Sequence, residues 1–275
     1  MNVKTVMVSL ALDGANEASL RVAGDLARRF EARLIGIAAA EVRPPLYFAE
    51  GAYAQGVMEG EEVAIRNRLS ELEAEFRGAM ENHARPVEWR SALAPATPFI
   101  ASEARAADVI VVGARAEALV DPSVAADPNG LLMQAGRPLI TVPRDAQGLA
   151  LRDVLVAWKD VREARRAVAD ALPILAAAKT VTVAEVAESA TKRADALAHV
   201  EDVARWLREH GVVANTIVPD SHGRAVEQLD EIAGRVGAGL VVAGAYGHSR
   251  LREWVLGGVT RHLATASARC AFLSR

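Results

Sequence analysis

The chain carries the same plan twice. Lys4-Thr5-Val6-Met7-Val8-Ser9-Leu10 matches Arg152-Asp153-Val154-Leu155-Val156-Ala157-Trp158. Each run leads into a stretch with helical periodicity, residues 16–30 and 162–178. Apolar runs follow at 33–40 and 180–186. Later, Ala107-Asp108-Val109-Ile110-Val111-Val112-Gly113 matches Ala238-Gly239-Leu240-Val241-Val242-Ala243-Gly244. Both halves close on a short apolar run, 138–142 and 270–273. The period is about half the chain, which marks a tandem duplication and not a solenoid. Within each half the pattern reads βαβαβαβαβ. Continuous apolar strands alternating with amphipathic helices imply a parallel sheet covered on both faces. The halves are placed at 1–143 and 151–275, with Arg144-Asp145-Ala146-Gln147-Gly148-Leu149-Ala150 as linker.

Composition fits this plan. Hydrophobic residues are 51% of 275, and aromatics only 4%, so small side chains must pack helices closely on sheets. The net charge is −3 with no basic block, which argues against nucleic acid or an anionic membrane as partner. The one cysteine, Cys270, lies in a final strand and reads as a buried structural thiol. The N-terminal run lacks a signal-peptide layout, and no apolar span reaches the ~20 residues of a membrane helix. A cytoplasmic, soluble protein is the expectation. Helices are expected at 61–83 and 189–210, where Leu69, Leu72, Phe76 and Met80 make a core stripe in the first. Residues 43–60 lack periodicity and read as a loop. Pro173 is expected to kink or shorten its helix.

One segment points to chemistry. After the apolar run ending at Ala243 comes Gly244-Ala245-Tyr246-Gly247-His248-Ser249-Arg250, then Gly257-Gly258 and a helix-compatible Val259-Thr260-Arg261-His262. Strand, glycine turn and a second glycine pair before a helix make a phosphate cradle from backbone amides and the positive helix end. The spacing G-x2-G-x9-G resembles the nucleotide-binding signature of the universal stress protein family. The surrounding GAYGHSR and GGVTR are similar to members with two domains in one chain.

That resemblance implies two doubly wound α/β domains, each a five-stranded parallel sheet of order 3-2-1-4-5. It implies that the last strands of the two domains meet, giving an intrachain pseudo-dimer. It also implies a stress-response role and an adenine nucleotide, ATP or a relative, in the second half, with Mg2+ accompanying ATP. Ligands of such sheets sit beyond the carboxyl ends of strands where strand order reverses. The expected contacts are Ala157, Trp158 and Asp160 toward base and ribose. Gly244, Gly247, Gly257, Gly258, Val259 and Thr260 would face phosphates, with His248 and Ser249 adding polar contacts.

This sequence departs from the pattern at two places. The family has Ser or Thr after the last glycine, where Gly258 stands. It also has Asp after the first strand, where Lys159 stands and Asp160 comes one residue late. In the first half Ala116 replaces a glycine. Asp127-Pro128-Asn129 there reads as a helix start, with Asp as N-cap, so its carboxylate would occupy the amides a phosphate needs. The first half is read as structural.

No G-x4-GK[ST], no G-x-G-x-x-G after the first strand, no HExxH or CxxC and no nucleophile elbow occur, and no nucleophile has an oriented base. A dedicated catalyst is not expected. Two alternatives to a nucleotide binder stay open: a scaffold working through contacts with another protein or a second copy, and a weak ATP hydrolase using Asp160 or His248.

Overall fold

A computed structural model describes residues 3–43, 51–83, 85–115, 121–187, 189–220, 223–245 and 258–275. The first half runs β1 (Thr5–Ser9), α1 (Glu17–Phe30), β2 (Arg33–Ala40), α2 (Gly51–Ala79), β3 (Val87–Leu93), α3 (Ala96–Glu103), β4 (Val109–Gly113), α4 (Pro128–Gln134) and β5 (Leu139–Val142). The second runs β6 (Asp153–Ala157), α5 (Arg162–Ala176), β7 (Thr180–Ala184), α6 (Arg193–Glu209), β8 (Ala214–Ile217), α7 (Ala225–Arg235), β9 (Leu240–Gly244), α8 (Val259–Thr265) and β10 (Cys270–Ser274).

Each half is a parallel, doubly wound sheet. β1 lies between β2 and β4, with Val6 opposite Leu34 and Val109. β6 lies between β7 and β9, with Val154 opposite Val181 and Leu240. The order is 3-2-1-4-5 in the first half and its repeat in the second. The inner strands are mainly apolar on both sides because helices cover both faces.

The last strands meet. β5 and β10 pair antiparallel, with Ile140 opposite Phe272, and fuse the two sheets into one of ten strands. This pairing removes one open edge from each half and leaves β3 and β8 at the rims. The core continues across the seam. On one face Val6, Ile140, Phe272 and Val156 belong to a single cluster under α1, α2, α5 and α6. On the other, Met7, Leu139, Leu273 and Leu155 do the same under the remaining helices. Phe272 is 1% exposed, and burying such a ring is worth roughly 1.5–3 kcal/mol. Thr141 Oγ1 donates to the carbonyl of Leu263 at 2.9 Å, tying β5 to α8 of the other half.

Three local expectations need adjustment. α2 begins at Gly51, not at 61, and ends at Ala79. Residues 55–60 are exposed, so they carry no apolar stripe to betray the helix. Its backbone ladder extends from the packed turns holding Ile65, Leu69, Leu72 and Phe76. α5 continues through Pro173 and stops at Ala176. Proline in the last turn removes one ladder bond and shortens the helix without breaking it. The 189–210 helix opens with a 3-10 turn, Ala190–Lys192, before α6 proper. Cys270 is buried, and desolvation pushes its thiol up to about 12, so it is a packing residue.

Among the described residues, no helix is long and apolar enough to cross a membrane.

Candidate functional site

In the second half strand order reverses between β6 and β9, whose carboxyl ends lie side by side at Ala157 and Ala243. α5 starts just beyond that end and packs along β9 and β10. In doubly wound sheets such a reversal is where a crevice forms. Of the sequence-proposed contacts, Gly247, His248, Ser249 and Gly257 lie outside the described residues, as do Tyr246, Arg250, Trp254 and Ala116. The others can be placed.

Gly244 ends β9. A Cβ built on it would stand 2.5 Å from the carbonyl carbon of Glu163 and 2.8 Å from Cα of Ala164. Its missing side chain is therefore filled by the first turn of α5. That contact explains the glycine through helix-on-strand packing. Thr260, in the first turn of α8, is buried, and its hydroxyl donates to the Gly244 carbonyl at 3.4 Å. Gly258 is different. It is the N-cap of α8, with φ −53° and no side-chain cap. Among the described residues, a Cβ there meets nothing closer than 3.6 Å. Gly258 itself brings no side chain to the first amides of this helix. Val259 follows as its first residue.

The β6 end makes a tight turn. The Trp158 amide donates to the Ala184 carbonyl at 2.8 Å, and the Val161 amide to the Lys159 carbonyl at 2.7 Å. Trp158 is 8% exposed and belongs to the core under α5 and α6. Its ring is part of that packing. Asp160 is about half exposed and ion-pairs with Arg165.

Sequence reasoning missed Glu163. It is the second residue of α5 and 2% exposed. Oε1 accepts from Arg162 Nη2 at 3.1 Å, whereas among the described residues no donor reaches Oε2. The signal was legible: Glu163 lies four and eight residues before Ala167 and Ala171, on the apolar stripe of its helix. Trp158 Nε1 and Gln228 Oε1 are likewise buried without a partner among the described residues. Gln228 lies in the first turns of α7, a helix that also starts at the carboxyl ends of the strands. Nearby, Glu185 follows β7 and takes a hydrogen bond with His199 Nδ1 at 3.2 Å. Burial raises its pKa above the ordinary carboxylate value, and the His199 contact works against that. Among the described residues no group of three His, Cys, Asp or Glu is arranged to hold a metal.

The matching crevice of the first half is filled from within. Arg115, two residues past β4, donates from Nη1 to both carboxylate oxygens of Asp13, at 2.7 and 3.0 Å. Its guanidinium occupies the space where Gly14 would carry a Cβ. Asp127 caps α4, accepting from the amides of Asn129 at 3.1 Å and Gly130 at 2.8 Å, with Pro128 at the first helical position.

No protein-family model matches the chain, and no curated protein matches it. Solved structures do. A universal stress protein from Archaeoglobus fulgidus DSM 4304 superposes with a TM-score of 0.73 at 15% identity, covering 100% of this chain and 97% of that one. A functionally unknown protein from Pseudomonas aeruginosa superposes with a TM-score of 0.59 at 14% identity, covering 99% of this chain and 92% of the other. At such identities the likeness is one of fold. The chain has the universal stress protein fold over its whole length, with the doubly wound unit present twice.

Proposed function

We propose that the chain acts as a universal stress protein and binds an adenine nucleotide, ATP or a relative, in the crevice of its second half. The observation that carries this reading is the unequal capping of two helix starts built on one plan. Where Asp127 caps α4, the equivalent helix start at Gly258 has no side-chain cap of its own and, among the described residues, room around it. Phosphate is the ligand that such amides attract, through their hydrogen atoms and the positive helix end. The base and ribose would lie toward β6, near Ala157, Trp158 and Asp160. Gly247, His248, Ser249 and Gly257 belong to the same proposal on sequence grounds alone. Bound ATP would bring Mg2+ held chiefly by its own phosphates. The role is binding or sensing. The reading treats 1–143 and 151–275 as duplicated domains around a linker at 144–150, and places the protein in the cytoplasm.

A second reading has its own support. Gly244 is explained by packing, the Thr260 hydroxyl is already engaged, and Gly258 supplies no hydroxyl. A scaffold that works by protein contacts needs none of these groups. Mass spectrometry of the small molecules that co-purify with native protein, followed by calorimetric titration with ATP and Mg2+, decides between them. Co-purifying adenine nucleotide, or saturable heat at one site per chain, supports the first reading. Absence of heat at millimolar ATP leaves the scaffold.

A further inference from the structure

We infer that Glu163 is a specificity residue of the second-half crevice, accepting hydrogen bonds from the vicinal hydroxyls of the ligand's sugar. This deepens the nucleotide reading, on which it rests for the identity of the ligand. Its own basis is separate. Glu163 is 2% exposed, and Oε2 has no donor among the described residues. A carboxylate oxygen left without a donor inside a protein is costly, because water's hydrogen bonds are lost and nothing replaces them. A packing position would hold an apolar residue instead. The matching place in α1 does so with Ala18, 5% exposed. The charged residue thus occurs only in the crevice whose helix start is uncapped.

Placement selects the ligand chemistry. The Glu163 backbone lies against Gly244 at the end of β9, and Gly244 in turn receives the hydroxyl of Thr260 from α8. The residue therefore stands between the β6 end and the start of α8. That is the interval a sugar bridges when a base lies at the first and phosphates at the second. A carboxylate accepts and does not donate, so it repels phosphate and selects hydroxyl donors. Asp160, the sequence candidate for this role, is held by Arg165 at the exposed side of the turn.

The test combines Glu163→Gln with sugar analogues on the full chain. Wild type is titrated with ATP, 2′-deoxy-ATP, 3′-deoxy-ATP and adenosine. E163Q should bind ATP on the order of 10- to 100-fold more weakly, the range for losing a hydrogen bond to a charged group. At least one deoxy analogue should bind wild type more weakly by a similar factor and bind E163Q no worse than ATP does, a non-additivity that a merely structural residue does not produce. The ligand-free E163Q protein should melt at or above the wild-type temperature, because the exchange removes a buried carboxylate oxygen that has no donor among the described residues. Equal ATP affinity in E163Q, or deoxy discrimination that survives the substitution, overturns the assignment. A lower melting temperature for E163Q also overturns it, since that marks a structural partner. If wild type binds adenosine in a Glu163-dependent way but gains nothing from phosphates, the phosphate half of the nucleotide reading falls and this assignment stands. If it binds neither, both fall.

Discussion

The two halves share a backbone plan and spend it differently. At the end of β4, Gly113 has, among the described residues, only the Ser19 hydroxyl within reach of a built Cβ, at 3.6 Å. At the end of β9, Gly244 is pressed against the backbone of α5. At the start of α4, Asp127 supplies its own acceptor, while α8 begins at Gly258 with none. Arg115 fills the first crevice and ties down Asp13. In the second half, among the described residues, Glu163, Trp158 and Gln228 each bury a polar atom that has no partner. The doubly wound unit is present twice, and one copy can be closed by side chains without disturbing the sheet. A closed crevice satisfies its polar groups internally. On the proposed reading, the other leaves them for a ligand, at a cost in stability.

The largest expected effect separates the two strand-end glycines. Gly244→Ala puts a methyl group against backbone atoms of Glu163 and Ala164, which cannot rotate away. It should cost about 3 kcal/mol, the upper part of the range for overpacking, and lower the melting temperature by about 6–12 °C. Gly113→Ala meets one side-chain hydroxyl at ordinary contact distance and should change stability by less than about 0.5 kcal/mol. Thermal melts of the two variants side by side check this. Similar losses would show that the two strand ends are packed alike, contrary to the geometry.

The next effect concerns ligand and cap together. Gly258→Asp copies the first half's cap into the second. It should add a few tenths of a kcal/mol of stability as an N-cap. The same carboxylate would take the amides offered to phosphate and repel it, so ATP affinity should fall by about 100-fold. Opposite signs in melting and titration are the signature. Unchanged ATP binding in a folded G258D protein removes the helix start from the site. In the first half, Asp127→Ala should cost about 1 kcal/mol, or 2–4 °C in melting temperature, and leave ATP binding unaltered. A change in stoichiometry with D127A would mean that the first crevice also takes ligand.

What was legible in the sequence follows the same division. The strands that carry apolar residues on both faces, β1, β4, β6 and β9, announce themselves, and so does the duplication. The Asp127-Pro128 helix start is equally plain, because capping is a local rule and the N-cap hydrogen bonds are observed. The meeting of β5 with β10 came through the family resemblance, since four- and five-residue strands name no partner. The start of α2 was hidden because an exposed helical turn needs no periodic stripe. Gly244 shows a deeper limit. A glycine after a strand is required equally by a phosphate and by a helix crossing close above it, and only the packing in the fold distinguishes them. Glu163 was readable in principle as a charge on an apolar stripe. Arg115 was not, because its partner Asp13 is 102 residues away.

The smallest expected effect tests whether the second crevice carries unfavourable charge in the ligand-free protein. Burial raises the pKa of Glu185 above 4.5, against the pull of its hydrogen bond with His199. A raised carboxylate pKa means the folded protein holds that proton more tightly than the unfolded chain does. The contribution to stability is therefore fully present below pH 4.5 and is lost as pH rises through the folded value. Glu185→Gln cannot ionise, so it escapes this loss. It should melt above wild type at pH 7, by less than about 3 °C, and the advantage should vanish near pH 4. Glu41 stands at the corresponding place after β2, where its amide donates to the Ser123 carbonyl of the filled crevice at 2.9 Å. If E185Q instead melts below wild type at pH 7, the His199 contact outweighs burial. Glu185 would then be a matched group, and the contrast between the crevices would narrow to Glu163, Trp158 and Gln228.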